Sequence, residues 1–126
     1  MSSAFFDTSC AVSIALRERG SATIDTRLRS YAQLYASPLL EAELQSALRR
    51  EDIAFDPTLL SAVQWVHPNR LLSAEIARVL QAGYVRGANC WHLATALYLA
   101  PNPAELTFLT LDMPQRRVAS ALGFKT

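Results

Sequence analysis

The feature that most constrains this chain is the repeated alternation of short apolar runs with longer segments of helical periodicity. The clearest run is Leu106 to Leu111, which is rich in residues that favour a strand. Ala4-Phe5-Phe6 and Leu34-Tyr35-Ala36 predict two further short strands. Val63 to Val66 is either a strand or the end of a helix, because periodicity cannot decide. Strands that alternate with helices form a parallel sheet covered on both faces, so the sequence predicts an α/β fold.

Helical segments fill the intervals between these runs, and several carry start or stop signals. Proline at a first helical position marks starts at Ser37-Pro38 and Asp56-Pro57. Glycine follows the ends of two helices, at Gly20 and Gly123. No linker or internal repeat divides the chain, so residues 1–126 are expected to form a single domain. The predicted helices cover residues 10–19, 24–32, 39–50, 73–83, 88–99 and 114–122, and one more opens at Asp56.

The composition of the chain fits one compact domain. Of its 126 residues 51% are apolar and 18% are charged, which argues against disorder. The formal net charge of +1 neither favours nor excludes binding to RNA. No apolar run approaches the roughly 18 residues of a membrane span, and no signal peptide is recognised. The expectation is a cytoplasmic protein in which Cys10 and Cys90 stay reduced.

Acidic residues stand where ligands bind in folds of this class. Asp7 directly follows the first predicted strand, and Asp112 follows the last. The carboxyl ends of parallel strands share one edge of the sheet, so both side chains are expected at that edge. Glu43 lies among apolar residues of the helix that begins near Pro38, whereas Glu41 is expected at the surface. A hard divalent cation, which prefers oxygen ligands, would relieve the repulsion among such carboxylates.

Each acid taken alone also has an ordinary structural interpretation. Asp7 can be a simple helix cap, Glu43 a half-buried ion-pair partner, and Asp112 a turn residue ahead of Pro114. Only their joint placement at one sheet edge favours a functional site.

The order and spacing of four short segments resemble the PIN domain, and in particular the VapC-like toxins of bacterial toxin–antitoxin pairs. The resemblance extends from Phe5 to Gly123. The segments that carry it are Phe6-Asp7-Thr8-Ser9, Ala42-Glu43-Leu44, His92-Leu93-Ala94-Thr95-Ala96 and Phe108-Leu109-Thr110-Leu111-Asp112.

This resemblance implies a three-layer α/β/α fold with a mainly parallel sheet of about five strands. It further implies a Mg²⁺- or Mn²⁺-dependent endoribonuclease that acts as a toxin, forms a homodimer and is silenced by a cognate antitoxin. Asp7, Glu43 and Asp112 match three of the family's acidic positions, and Ser9 matches a hydroxyl position near the metal or phosphate.

Asn89 is the departure from the family pattern, because an Asp is usual three residues before the histidine of that segment. An amide oxygen still ligates a hard cation, but more weakly than a carboxylate. The predicted catalytic set is therefore Asp7, Glu43, Asn89 and Asp112, and the predicted metal ligands are Asp7, Asn89 and Asp112. The alternatives are a weak nuclease, an engineered replacement of Asp, or a PIN-fold protein that binds RNA or protein without cutting.

Several other residues near these positions invite functional interpretation. Arg86 and Arg116 flank the acidic positions and are predicted to hold RNA phosphates, together with Ser9. His92 lies one helical turn after Asn89 and can serve as an acid, a phosphate ligand or a structural hydrogen-bond partner. Trp91 can stack on a base or simply pack in the core.

Overall fold

The structure, a computed structural model, describes residues 2–126. The described part of the chain forms six α-helices and four β-strands, with short 3₁₀ turns at Pro57–Leu60 and Pro103–Glu105. The elements in chain order are β1 (Ser3–Phe6), α1 (Thr8–Ala15), α2 (Ser21–Arg29), β2 (Gln33–Ala36), α3 (Leu39–Arg50), β3 (Val63–Trp65), α4 (Ser73–Ala82), α5 (Gly87–Leu99), β4 (Thr107–Leu109) and α6 (Met113–Leu122).

The four strands form one sheet in the order β3-β2-β1-β4, and every neighbouring pair is parallel. The predicted α/β class is confirmed, although the described strands number four instead of about five. Beyond β4, the chain after α6 contributes only an isolated parallel bridge between Thr107 and Lys125. Gly123 ends α6 in the left-handed conformation and turns the chain toward this bridge.

Helices cover both faces of the sheet because consecutive strand residues point to opposite sides. Phe5 of β1 packs with Phe108 of β4, at 5.6 Å between ring centroids, in the cluster built by α4, α5 and α6. Its neighbours Ala4 and Phe6 face the other cluster, built by α1, α2 and α3. The molecule therefore has the three layers that the resemblance implies.

Some predicted boundaries are wrong for local reasons. Helix α1 ends at Ala15 instead of Arg19, because Arg17 adopts a left-handed conformation with φ of 54°. The start predicted at Asp56 opens only a 3₁₀ turn, in which the Asp56 carboxylate accepts a hydrogen bond from the Thr58 backbone at 3.0 Å. Val63–Trp65 is a strand, which settles the ambiguity left by its periodicity.

The apolar residues in and around α2 are largely buried. Leu28 is buried, while Tyr31 and Tyr35 are half-buried. These residues pack against the sheet or its flanking clusters because a short amphipathic helix must bury its apolar stripe to be stable. The large exposed apolar side chains lie elsewhere, at Ile53, Leu71, Leu80, Tyr84, Leu111 and Met113.

The strand order places a natural crevice at the carboxyl end of β1. The chain moves outward from β1 through β2 to β3, and then returns to the other side of β1 to form β4. Ligands of open parallel sheets bind where the strand order reverses in this way. No helix within residues 2–126 is long and apolar enough to cross a membrane.

Candidate functional site

Asp7 leaves the end of β1 and caps the N-terminus of α1. Its Oδ1 accepts hydrogen bonds from the Ser9 backbone N–H at 3.1 Å and the Ser9 hydroxyl at 2.5 Å. Its Oδ2 accepts from the Thr110 hydroxyl, also at 2.5 Å. The Asp7 side chain is thus fixed between the first and last strands. Only 2% of the residue remains exposed, so Asp7 is more than the simple cap of its ordinary interpretation.

Thr110 connects Asp7 to Asp112. Its hydroxyl donates to Asp7 and accepts from the Asp112 backbone N–H at 3.0 Å. The register of the sheet explains the proximity, because Phe6 is paired with Leu109 and the next residue of each strand follows at the same edge. Asp112 itself caps α6, where its Oδ1 accepts from the Gln115 backbone N–H at 3.1 Å.

Asn89 lies in the first turn of α5 and faces Asp112. Its side-chain nitrogen donates to Oδ2 of Asp112 at 3.3 Å. The amide group therefore presents an N–H where the family pattern has a second carboxylate. Gln115 fastens the two helix ends together, because its side-chain nitrogen donates to the Asn89 backbone carbonyl at 3.3 Å.

Glu43 reaches the same region from α3 and forms a separate cluster with Thr8 and His92. The Thr8 hydroxyl donates to Oε1 of Glu43 at 2.6 Å, and Nε2 of His92 lies 2.7 Å from the same oxygen. Glu41 points away and accepts a hydrogen bond from the exposed Gln45. Of the two rival acids on this helix, Glu43 is the one turned inward.

The surroundings of Asp7 and Glu43 shift their acidities in opposite directions. Burial raises the pKa of the Asp7 carboxyl, even though the hydrogen bonds from Ser9 and Thr110 and the nearby His92 act to lower it. The hydrogen bond from His92 holds the pKa of Glu43 below its ordinary value, with a further contribution from Thr8. Asp7 is therefore a buried carboxylate without sufficient positive charge around it, whereas Glu43 is readily ionised.

Of the residues predicted to bind substrate, Ser9 is already engaged inside the protein, whereas Arg86 and Arg116 are exposed. Both roles of the Ser9 hydroxyl are already filled, because it donates to Asp7 and accepts from the Leu111 backbone N–H at 2.9 Å. Arg86 precedes α5 and Arg116 lies in the first turns of α6, and both are exposed. Within residues 2–126 neither arginine forms an ion pair. Both guanidinium groups are free to meet a phosphate near the acidic edge.

Comparison with known proteins decides the family. The model of the family described as PIN domain matches residues 4–120, which is nearly the whole chain. The chain belongs to the PIN domain family. No curated protein and no solved structure matches it. PIN domains have a nuclease-type fold and are generally metal-dependent nucleases, so this membership gives the chemical class in which the acidic edge is to be understood.

The donor groups at the acidic edge of this PIN domain fit a hard divalent cation. Asp7, Asn89 and Asp112 offer carboxylate and amide oxygens there, which suit Mg²⁺ or Mn²⁺ better than a softer metal. Among residues 2–126, no three side chains of His, Cys, Asp or Glu are grouped closely enough to hold a metal by themselves. Glu43 therefore does not join Asp7 and Asp112 in one group of ligands, and the third predicted ligand, Asn89, supplies an amide and not a carboxylate.

Three polar residues of the PIN domain site were not predicted as site residues from the sequence. Thr110 bridges the two aspartates, Thr8 binds Glu43, and Gln115 links Asn89 to Asp112. Thr110 follows a strand end and Thr8 follows Asp7, so their positions could have indicated a place in the site. Their residue type alone could not, because threonine is common outside functional sites. Gln115 gave no signal, because a glutamine in a surface-patterned helix is normally exposed.

Both cysteines of the PIN domain are buried and unbonded to each other. Burial raises the pKa of each thiol, with the neighbouring Asp7 adding to the effect at Cys10. The raised pKa lowers the thiolate fraction of both groups, and both side chains pack as small residues of the core.

Proposed function

We propose that this PIN domain is a Mg²⁺- or Mn²⁺-dependent endoribonuclease that cleaves RNA phosphodiester bonds. The observation that carries the proposal is the buried Asp7 carboxylate, joined through Thr110 to Asp112 at the reversal point of the sheet. Burial of an anion without a cationic partner is unfavourable, and it is retained in proteins mainly where the charge is used.

Each acidic-edge residue has a role in this proposal. Asp7, Asp112 and the Asn89 carbonyl would hold the cation, which when bound supplies charge stabilisation for the phosphate and lowers the pKa of water. Glu43 remains ionised and accepts a proton from the attacking water. Arg86 and Arg116 bind phosphates of the RNA strand, and Ser9 keeps Asp7 oriented while its own hydroxyl is engaged.

The hydrogen bond between Asn89 and Asp112 favours a second candidate function, a PIN-fold protein that binds RNA or a protein partner with little cleavage. In that bond the amide N–H of Asn89 occupies Oδ2 of Asp112, the atom that a bound cation would otherwise contact. A cation that displaced it would gain less from Asn89 than from an Asp at this position.

Asn89→Asp separates the two candidates. The residue lies at the positive end of α5, which already favours an anion, and a carboxylate would also attract the cation directly. We expect Asn89→Asp to tighten Mn²⁺ binding and to raise the rate of RNA cleavage by at least about tenfold. The measurement is metal-dependent cleavage of a structured RNA by identically purified proteins.

Two controls complete the cleavage experiment. Asp7→Asn in the Asn89→Asp protein should abolish the gain, because both groups serve one cation. Glu41→Gln should leave cleavage unchanged, since Glu41 is exposed and bonded only to Gln45, whereas Glu43→Gln on the same helix should reduce it. If Asn89→Asp cuts no faster than the unchanged protein, and neither exceeds Asp7→Asn, the binding function is favoured instead.

The finer biological role is that of a cytoplasmic toxin of a type II toxin–antitoxin pair. The family membership supports this role, and so does an exposed apolar groove between α4 and α5 on which partners can dock. We propose that the partners are a cognate antitoxin and a second copy of the chain. Expression without the antitoxin should arrest growth, and co-expression of the protein encoded beside it should restore growth; growth that continues despite cleavage activity would exclude the toxin role.

A further inference from the structure

We propose that His92 and Thr8 are positioning residues that hold one oxygen of Glu43 and leave its other oxygen free to act on water. This inference rests on the proposed nuclease function. It gives Thr8 a task that was not predicted from the sequence, and it selects one role for His92 among those that the sequence left open.

The geometry of the Glu43 carboxylate is asymmetric. Oε1 receives the Thr8 hydroxyl at 2.6 Å and lies 2.7 Å from Nε2 of His92. No described residue forms a hydrogen bond with Oε2. The Glu43 side chain is 33% exposed, whereas the His92 side chain beneath it is 1% exposed. The bound oxygen is therefore anchored from the protein interior, and the residue still reaches the solvent.

Donor and acceptor roles in the cluster follow from the charge of Glu43. An ionised carboxylate only accepts hydrogen bonds, so Nε2 of His92 must carry a proton. The Thr8 hydroxyl proton is directed to Glu43, so the 3.3 Å contact between Thr8 and His92 has Nε2–H as its only possible donor. One N–H group thus points at both oxygen atoms.

The second ring nitrogen of His92, Nδ1, argues that the residue is present for its contact with Glu43 and not for packing. Nδ1 is buried and has no hydrogen-bond partner among the described residues. An unpaired buried nitrogen is unfavourable, and a Leu or Met would fill the same space without it. If His92 served only to fill space, its Nε2–H group would have no function. If His92 orients Glu43, that N–H group is the donor to the carboxylate.

Two donors on one oxygen restrict the rotation of the Glu43 side chain before any substrate arrives. Catalytic groups that are held in place in advance lose less entropy in the transition state. Loss of this restraint should therefore lower kcat and leave KM nearly unchanged. The affinity for Mn²⁺ should also stay the same, because Glu43 is not among the proposed ligands.

Paired variants of the 126-residue chain test the role, with and without Asn89→Asp. His92→Met and Thr8→Val remove a donor and should lower kcat about tenfold. His92→Gln places an amide N–H near the former Nε2 and should restore most of the rate. Thr95→Val is the matched control, since Thr95 is fully buried on the same helix and donates only to the Trp91 carbonyl. It should leave kcat within about twofold, whatever its effect on the melting temperature.

A double-mutant cycle distinguishes positioning from a structural role. If His92 acts only through Glu43, His92→Met in the Glu43→Gln protein should cause no further loss of rate. An equal tenfold loss in both backgrounds would overturn the proposal, and so would full activity of His92→Met. A loss in His92→Met that His92→Gln does not recover would also overturn it.

A measurement independent of cleavage separates this inference from the proposed function. Nitrogen-15 NMR of the imidazole reports which ring nitrogen carries the proton, and at neutral pH the proton should be found on Nε2. A proton on Nδ1 alone overturns the positioning role even in an active nuclease. If the proton is on Nε2 but neither the unchanged protein nor Asn89→Asp cuts RNA, the proposed function fails, and the His92–Glu43 pair is only a link between α3 and α5.

Discussion

Asp7 stabilises the start of α1, but its burial makes its own carboxyl harder to ionise. It caps α1, yet burial raises the pKa of its carboxyl. The folded protein therefore disfavours the ionised form of this carboxyl more strongly than the unfolded chain does. The first prediction is that Asp7→Asn raises the melting temperature in metal-free buffer by about 3 °C or more. Asn keeps the acceptor toward Ser9 and can donate toward Thr110.

The pH dependence of that gain has a definite sign. A raised pKa in the folded state means that the folded protein retains a proton after the unfolded chain has released it. The stability contributed by Asp7 is therefore greatest below the ordinary pKa of 3.8 and falls as the pH rises toward the folded value. The advantage of Asp7→Asn should disappear in acid and reverse when millimolar Mn²⁺ is added at neutral pH. Thermal melts across pH check this; a lower melting temperature of Asp7→Asn at neutral pH without metal would contradict it.

Gln115 offers a second prediction at the scale of single residues. The residue is fully buried, and its Oε1 has no hydrogen-bond partner among the described residues. Gln115→Met keeps the length of the side chain and removes the unpaired oxygen, at the loss of one long hydrogen bond to Asn89. We expect a higher free energy of unfolding, by about 1 kcal/mol, measured by urea denaturation. Gln115→Ala should lower it instead by leaving a cavity; a large decrease for Gln115→Met would show that Oε1 is satisfied.

Residue-level prediction from the sequence succeeds where position on the sheet supplies the argument. Asp7 and Asp112 were placed together because each follows a strand, and Thr110 does connect them. The cluster around Glu43 was not found, because Thr8 and His92 are 84 residues apart. Nothing local in either segment indicates that the two side chains meet. Only the tertiary fold, which brings His92 of α5 beside Thr8 of α1 and Glu43 of α3, establishes the contact.

At the scale of elements, the junction of α4 with α6 depends on Gly83. A Cβ added at Gly83 would lie 2.9 Å from Cγ2 of Val118, closer than real contacts allow. The φ of Gly83 is 166°, which any residue adopts, so only the contact is at issue. Gly83→Ala should destabilise the protein by about 1–3 kcal/mol.

A compensating substitution tests this explanation. Val118→Ala removes the opposing methyl groups, so the double variant should lose less stability than the sum of the two single variants. Chemical denaturation of the four proteins gives the coupling directly. Strict additivity would show that α6 can shift to relieve the contact. Asp112, which caps α6, would then be held less firmly than its hydrogen bonds imply.

Element types were easier to predict from the sequence than element ends. β1 and β4 were recognisable as apolar runs, since both are buried on two faces of a parallel sheet. The end of α1 and the 3₁₀ turn at Pro57–Leu60 depend instead on single backbone conformations. The fifth strand expected from the resemblance is reduced to one bridge because the chain after Gly123 bonds β4 at a single register.

At the scale of the whole molecule, an apolar groove of about 510 Å³ lies between α4 and α5. Leu80 and Tyr84 on its rim are 48% and 81% exposed. Self-association through this groove should give a dimer by light scattering at tens of micromolar. Leu80→Ser and Tyr84→Ser should shift the population toward monomer because they remove apolar area from the interface. Leu71→Ser is the control, since Leu71 is 85% exposed but does not line the groove; monomer alone in the unchanged protein would refute dimerisation.

The pairing of β1 with β4 also determines when the acidic edge can form during synthesis of the chain. Asp7 is synthesised before every other predicted site residue, yet its partner Thr110 and the neighbouring Asp112 follow all of them except Arg116. A nascent chain that already contains Asp7, Glu43 and Asn89 still has no β4 beside β1, so its acidic edge is incomplete. The proposed cleavage activity therefore requires that β4 has left the ribosome and docked beside β1.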